Sequence, residues 1–155
     1  MKRKFLFYIC SFLLLASCLP GINVFEKNVS IPHHEWQSSF IPDISFAIED
    51  TAASYNIYFV VRHTDAYRYN NLWIKASVLQ PGESTWHSAQ YDLTLADKNK
   101  WLGSAMDDIY EHRVLLQKQT RFSRKGSYHF SISQVMREDP LPDILDVGLR
   151  IEKSK

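Results

Sequence analysis

Two neighbouring runs, residues 55–62 and 72–79, alternate apolar and polar side chains, and this alternation constrains the fold more than any other feature. Successive side chains of a β-strand point to opposite faces, so each run predicts a strand with one face toward a core. The predicted core positions are Ile57, Phe59, Val61, Leu72, Ile74, Ala76 and Val78. Residues 63–71 between the runs are polar and contain Asn and Asp, which predicts an exposed turn and a hairpin-like pair of strands.

Most of the remaining chain also has strand character, interrupted by residues typical of turns. Further strands are predicted near residues 23–25 and over residues 35–41, 43–49, 85–95, 114–122, 127–134 and 144–152. Residues 104–110 are compatible with a single helical turn or a loop. After residue 17 the sequence contains no amphipathic helix of about ten residues or more, which argues against an α/β alternation. The chain is therefore predicted to be all-β, a single antiparallel, jelly-roll-like β-sandwich of about eight strands.

The N-terminus has the pattern of a signal peptide, with Lys2, Arg3 and Lys4 ahead of an apolar run over residues 5–15. This run is too short to cross a bilayer as a helix, which needs about 20 apolar residues. The run ends in Leu-Ala-Ser-Cys at residues 15–18, which resembles the lipobox of bacterial lipoprotein precursors and implies acylation of Cys18. The alternative is an ordinary secreted protein with an incidental cysteine. The lipobox predicts a signal peptide at residues 1–17, a lipidated tether at residues 18–32 and the β-sandwich domain at residues 33–155.

The net charge limits the kinds of partner that the chain can be expected to bind, and the cysteine content limits the disulfides that it can form. The formal net charge of +1 falls to −2 when the three cations of residues 1–17 are removed. Without a basic surplus we expect neither nucleic acid binding nor attraction to anionic lipid, so the lipid on Cys18 would place the protein at a membrane. Cys10 is lost with the signal peptide, which leaves Cys18 as the only cysteine and excludes an intramolecular disulfide.

Residues with catalytic or metal-binding chemistry show no recognisable pattern. The sequence contains neither a Gly-x-Ser-x-Gly motif nor a cysteine free to act as a nucleophile, so we predict a non-enzymatic protein without catalytic residues, cofactor or metal site. Its six histidines have no metal-ligand spacing and are interpreted as exposed loop and strand residues. The carboxylates of Asp97, Asp107, Asp108 and Glu111 could bind a divalent cation weakly, but their spacing differs from a calcium loop and predicts a solvated turn.

Residues 62–71 have the composition of a recognition surface, because Tyr and Arg combine a large contact area with a hydrogen-bonding tip. The possible partner-binding residues are Arg62, Tyr67, Arg68, Tyr69, Asn70 and Asn71. The alternative is structural, since tyrosine also packs on the outward faces of sheets.

Several segments together resemble one family of bacterial envelope proteins. These are the lipobox, residues 55–62 with 70–72, the Trp-Leu-Gly of residues 101–103, residues 126–137 and the ending at residues 146–153. In this order they resemble the gliding motility lipoprotein GldH family of Bacteroidetes-type bacteria. The resemblance implies an envelope lipoprotein of the gliding apparatus, which is linked with type IX secretion, and other envelope proteins as partners. It carries over Cys18 as a functional residue and implies no catalytic residues.

The location of the lipid anchor and the competing function are further expectations. No Asp follows Cys18 and no acidic run follows it, which favours the periplasmic face of the outer membrane over that of the inner membrane. The alternative function is a carbohydrate- or peptidoglycan-binding sandwich, suggested by the outward aromatic residues Trp73 and Tyr58. A row of coplanar exposed aromatics would favour that alternative, whereas an open strand edge or an apolar patch would favour a protein interaction module.

Overall fold

The computed structural model describes residues 24–154, and their regular structure is almost entirely β-strand. The strands are β1 (Val24–Ser30), β2 (Glu35–Trp36), β3 (Asp43–Ile48), β4 (Tyr55–Thr64), β5 (Asn71–Leu79), β6 (His87–Thr94), β7 (Ala96–Asp97), β8 (Lys100–Trp101), β9 (Ser104–Met106), β10 (Ile109–Thr120), β11 (Gly126–Gln134), β12 (Leu141–Pro142) and β13 (Ile144–Lys153). A 3₁₀ turn at Pro32–His34 joins β1 to β2. Within residues 24–154 no helix is long and apolar enough to span a membrane. The prediction of an all-β fold is confirmed.

The strands form two main antiparallel sheets that pack as a sandwich. One sheet has five strands in the order β1-β13-β4-β10-β9, and the other has four in the order β3-β11-β5-β6. Two short pairs, β2 with β12 and β7 with β8, lie at the end of the sandwich where β4 ends and β5 begins. The described chain has more strands than the eight or so expected, because β7, β8, β9 and β12 have only two or three residues each and are too short to show an alternation. Of the strand predicted over residues 35–41, only residues 35–36 form β2.

The core lies between the two sheets and is built from the alternating apolar positions. Ile57, Phe59 and Val61 of β4 are buried against Leu72, Ile74 and Ala76 of β5, as predicted. The inner faces of the neighbouring strands add Tyr128, Phe130, Ile132, Val147, Leu149 and Ile151. Alternate residues share one face of a strand, so a period of two in the sequence becomes one continuous apolar layer.

The predicted hairpin between β4 and β5 is wrong. β4 lies in the five-stranded sheet between β10 and β13, and β5 lies in the four-stranded sheet between β6 and β11. The two strands face each other across the core, so their shared alternation reflects a common core and not a shared hydrogen-bond ladder. The intervening segment is also less exposed than its polarity predicts, since β4 continues through the buried His63 and Tyr67 is buried as well.

Two other segments differ from the sequence-based expectations. Residues 104–110, expected to be a helical turn or a loop, form most of a hairpin in which β9 pairs with the start of β10 around Asp107 and Asp108. Residues 24–30, expected to belong to a tether with a short strand near residues 23–25, form the longer edge strand β1, which pairs with residues 146–152 of β13. The sheet therefore begins no later than Val24. Residues 1–23, with the predicted signal peptide and Cys18, lie outside the described residues.

Gly148 of β13 allows the close approach of β1. A Cβ atom at this position would lie 1.8 Å from Asn28 Oδ1 and 2.6 Å from the carbonyl oxygen of Lys27. We expect Gly148→Ala to lower the free energy of unfolding by about 2 kcal/mol, because β1 must shift to admit the methyl group. Urea unfolding would measure this loss. Adding Asn28→Ala should recover only part of it, since the Lys27 carbonyl still blocks the methyl group, and a full recovery would contradict this reason.

Candidate functional site

One side of the sandwich has two strand edges that lack a neighbour. β6 is the outer strand of the four-stranded sheet and pairs only with β5 among the residues that the structure describes. β9 covers the outer edge of β10 only at residues 109–111, so residues 112–120 have no strand partner on that side within residues 24–154. An unpaired strand edge presents a row of backbone N–H and C=O groups that another chain can bind.

A cavity of about 300 Å³ opens between these two edges, and we call it the intersheet cleft. Its floor is apolar and consists of Ile57, Ala76, Val78, Phe122, Tyr128 and Phe130. Its rim is polar and consists of Gln80, His87, Ser88, Gln117, Thr120, Arg121 and Ser123, with Ala89 and Tyr91 along the β6 wall. The volume is at the lower limit for a ligand pocket, so the cleft fits one or two side chains better than a large ligand.

The register of β6 explains why the cleft is open. His87, Ala89 and Tyr91 lie opposite Val78, Ala76 and Ile74 of β5, so they share the inward face of the sheet. Even so, residues 87–90 are all exposed, and on this strand the side chain that is buried is Leu93. The opposite sheet covers the second half of β6 but leaves its first half uncovered. Across the opening, Gln117 Nε2 donates a long hydrogen bond of 3.5 Å to the Tyr91 hydroxyl.

The residues predicted to bind a partner lie at the other end of the sandwich, and most of them have partners within the fold. Arg62 Nε donates to Asp146 Oδ2 at 2.7 Å, and this bond raises the pKa of Arg62. Arg68 forms an ion pair with Glu138, and the Tyr69 hydroxyl donates to the same carboxylate at 2.7 Å. Of these side chains, Arg68 projects furthest into solvent, with 63% of its side chain exposed.

The other three predicted residues organise the turn after β4. The Tyr67 hydroxyl donates to the carbonyl oxygen of Asn71 at 2.9 Å, and burial raises the pKa of Tyr67. The carbonyl oxygen of Asn70 accepts the backbone N–H groups of Leu95 and Ala96. Asn71 Nδ2 donates to Asp92 Oδ1 at 2.6 Å. The structure thus brings the six residues to one end of the sandwich, where internal bonds occupy most of their polar groups.

A buried histidine pair near these residues was missed in the sequence. His63 and His112 are 0% and 3% exposed, their rings stack, and their Nε2 atoms lie 2.9 Å apart. Trp101, Tyr110 and Tyr67 pack around His63. The interpretation of all six histidines as exposed is wrong for these two. A signal existed, because His63 continues the core phase of residues 57, 59 and 61.

The remaining candidates are the acidic residues near the turn between β9 and β10. Within residues 24–154 no three His, Cys, Asp or Glu side chains are arranged to hold a metal ion, so Asp97, Asp107, Asp108 and Glu111 do not converge as a cation site. Asp107 and Asp108 form the exposed turn between β9 and β10.

The two aromatic residues that suggested carbohydrate binding, Trp73 and Tyr58, do not form a row. Trp73 lies between the buried Leu72 and Ile74, so it points away from the core on the outer face of the four-stranded sheet. Tyr58 lies between the buried Ile57 and Phe59, which places it on the outer face of the five-stranded sheet. The two rings are therefore on opposite sides of the molecule and cannot stack on the same glycan.

Comparison with known proteins assigns the chain to a family. A family model described as GldH lipoprotein matches residues 23–151, which include nearly the whole sandwich. The chain belongs to the GldH lipoprotein family. The resemblance predicted from the sequence is confirmed, and the described fold is that of a GldH-family domain.

Relatives of this GldH-family chain extend over almost its full length. It is 30% identical over 155 residues to "Gliding motility lipoprotein GldH homolog" of Christiangramia forsetii, covering 95% of this chain and 93% of the relative. It is 27% identical over 149 residues to "Gliding motility lipoprotein GldH" of Flavobacterium johnsoniae, covering 91% of each. The solved infectious bursal disease virus VP2 subviral particle aligns with 83% of this chain and 32% of that chain at 14% identity. Its TM-score of 0.37 is too low to support any argument.

Proposed function

We propose that this GldH-family lipoprotein is a non-enzymatic component of the gliding motility machinery and the associated type IX secretion apparatus. Lipid on Cys18 anchors it in the envelope, and the intersheet cleft docks an extended segment of another envelope protein. The observation that carries this proposal is the open edge of β6 beside an apolar floor. An extended chain that adds to β6 satisfies the backbone groups of that edge, and its alternate side chains enter the cleft.

The chemistry of the described residues supports an interaction role over catalysis. The side chains with the most strongly shifted pKa values, His112 and Tyr67, are buried and surrounded by aromatic rings. They lie at the opposite end of the sandwich from the cleft, whose rim carries only Arg121 and His87 as ionisable groups beside Tyr91. A cleft with hydrogen-bonding edges and few ionisable groups is better suited to holding a peptide than to transferring protons.

The anchor and its location belong to the same proposal. The lipobox at residues 15–18 supports acylation of Cys18, and the family includes lipoproteins. Leu19 follows Cys18 where a retained inner-membrane lipoprotein would have Asp, which favours the periplasmic face of the outer membrane. Fractionation of inner and outer membranes would test this location, and recovery in the inner membrane would contradict it.

A charge placed inside the cleft is expected to abolish docking. In Ala89→Arg the guanidinium would occupy the β6 wall of the cleft, and Ala89 is exposed, so the fold should tolerate it. We expect at least about a tenfold loss of partner in cross-linked native envelopes, because a buried unpaired charge opposes apolar contacts. The measurement is affinity purification of the lipidated protein with quantitative mass spectrometry.

The matched control is Gln90→Arg, which adds the same charge to the neighbouring residue on the outer face of β6 and should leave capture unchanged. A second control, Cys18→Ala, should lose both membrane attachment and capture. Equal capture by Ala89→Arg and wild type would contradict docking at the cleft. Recovery of glycan or wall fragments in place of gliding or secretion proteins would support the carbohydrate-binding alternative.

A further inference from the structure

The strand register places the start of the domain and a basic segment at the same end of the sandwich. β1 begins at Val24 beside the end of β13, and Tyr55 at the start of β4 lies opposite Thr120 at the end of β10. Gly126 at the start of β11 lies opposite Ile48 at the end of β3. The turn at residues 121–125 therefore lies at the end where the chain enters from Cys18. We call this end, with its loops 49–54 and 80–86 and the segment 118–126 from the last residues of β10 to the first of β11, the tether end.

Three cations at the tether end have no ion-pair partner among the described residues. Lys118, Arg121 and Lys125 are exposed and form no ion pair with any of residues 24–154. Residues 112–137 contain no Asp or Glu, so this surface has no acid of its own. The near-neutral net charge of the mature chain conceals this local excess.

The acidic residues at the tether end do not neutralise these three cations. Asp50 pairs with Lys153 at 2.8 Å, and Glu83 contacts Arg124 at 3.5 Å and His87 at 2.9 Å. Glu49 is exposed at the end of β3 and forms no ion pair within residues 24–154. Three unpaired cations thus face one unpaired acid, which leaves the surface positive.

The length of the tether keeps this surface close to the membrane. Six residue steps separate Cys18 from Val24, and a fully extended chain spans about 3.5 Å per residue, so Val24 at the tether end can lie at most about 20 Å from the lipidated cysteine. This step rests on the lipidation of Cys18 in the proposed function. Over such a distance, cations at the tether end repeatedly meet the headgroup layer in which the anchor is embedded.

We propose that the tether end is a second membrane-binding element, in which Lys118, Arg121 and Lys125 bind anionic phospholipid headgroups. Acyl chains and a basic patch are complementary signals, because the acyl chains hold the protein at the bilayer and the cations fix its orientation. The domain is then oriented with its tether end against the membrane. The opposite end, with Arg68 and Tyr69, faces away from the membrane, and the β6 edge lies along the side.

Vesicle binding by the mature chain with Cys18→Ala tests this proposal without a contribution from the acyl chains. We expect binding to vesicles of one part phosphatidylglycerol and three parts phosphatidylcholine, and none to phosphatidylcholine alone. Each basic residue near an anionic surface strengthens binding about fivefold, so replacing Lys118, Arg121 and Lys125 by Gln should weaken binding roughly 100-fold. The matched control replaces Lys75, Lys100 and Arg137 by Gln, which removes three exposed cations that lie away from the tether end.

Binding must depend on the position of the three cations and not only on their number. Loss in the tether-end variant with retention in the control supports the proposal. Equal losses in both variants, or no binding to anionic vesicles, would overturn it. Sodium phosphate should displace the protein no better than sodium chloride of equal ionic strength, and stronger displacement would indicate a site for free phosphate instead of a lipid surface. These vesicles contain no envelope protein, so a negative result leaves docking at the cleft untouched.

Discussion

Replacing Arg62 by Met is expected to lower the free energy of unfolding by about 3 kcal/mol, because it leaves a buried carboxylate without a cation. The Asp146 side chain is 4% exposed, and its Oδ2 accepts from Arg62. Its other oxygen, Oδ1, is buried and has no hydrogen-bond partner within residues 24–154. Without the guanidinium, neither oxygen would have a partner in the described fold. The Arg62 side chain is 40% exposed, so we expect a value at the lower end for a broken buried pair.

Urea unfolding of the mature chain with Cys18→Ala would measure this effect, and two comparisons would define its cause. Arg68→Met breaks a solvent-exposed pair with Glu138 and should cost less than about 1 kcal/mol. Combining Arg62→Met with Asp146→Leu removes both charges and should restore most of the lost stability. Similar costs for Arg62→Met and Arg68→Met would show that Asp146 is hydrated in solution, against the structure. A role in stability would also explain the presence of Arg62 without requiring that this residue bind another protein.

The alternation in the sequence located the core because it depends only on the geometry of a single strand. In β4 and β5 the apolar phase alone identified the inward residues. The same phase includes His63, which was assigned to an exposed turn because its neighbours in the sequence are polar. For His63, the alternation along the strand predicted burial better than the polarity of the neighbouring residues did, since a side chain faces the core according to its position along the strand.

Strand pairing could not be read from the sequence in the same way. Alternation shows which face of a strand is buried, but it does not show which strand lies beside it. β4 pairs with β10 and β13, both far along the chain, so the prediction of a local hairpin with β5 failed. The open edge of β10 follows from its pairing with β4, and β6 is an edge strand because β11 occupies the other side of β5. The intersheet cleft could therefore not be predicted from the sequence, which supplied an open strand edge only as the criterion that would favour an interaction module.

The tether-end surface was also predictable only in part from the sequence. The absence of acids from residues 112–137 is visible in the sequence, whereas the net charge argued against contact with anionic lipid. Only the register of β1, β4 and β10 places residues 118–126 at the same end of the sandwich as Val24, where the chain enters from Cys18. The fold determines which charged residues become neighbours on the surface. The net charge of the whole chain therefore does not predict the charge of one local surface.

The buried histidine pair is expected to make the protein less stable as the pH falls below about 6.5. His63 Nδ1 lies 2.7 Å from the carbonyl oxygen of Thr64 and must donate a proton to it. The Nε2 atom of neutral His63 is then free to accept the Nε2 proton of His112. Burial lowers the pKa of both rings, that of His112 to about 4, although the hydrogen bond to the Thr64 carbonyl oxygen and the nearby Asp143 oppose part of the effect on His63.

Stability falls as the pH falls because the unfolded chain binds a proton on His112 at a higher pH than the folded protein does. An unfolded histidine has a pKa near 6.5, so the unfolded chain takes up protons between about pH 6.5 and 4 while His112 in the folded state does not. The contribution of His112 is complete above about pH 6.5 and is lost progressively toward pH 4, where the loss amounts to about 3 kcal/mol.

Urea unfolding at pH 7 and pH 4.5 would test the pair, with His112→Gln as the decisive variant. The Gln side-chain amide can still donate to His63 but does not titrate, so the loss of stability between the two pH values should shrink by about 2 kcal/mol. Buried carboxylates contribute to acid unfolding in both proteins and cancel in this difference. His87→Gln removes an exposed histidine at the opposite end and should leave the difference unchanged. If His112→Gln kept the full wild-type pH dependence, acid destabilisation would arise from carboxylates and not from this pair.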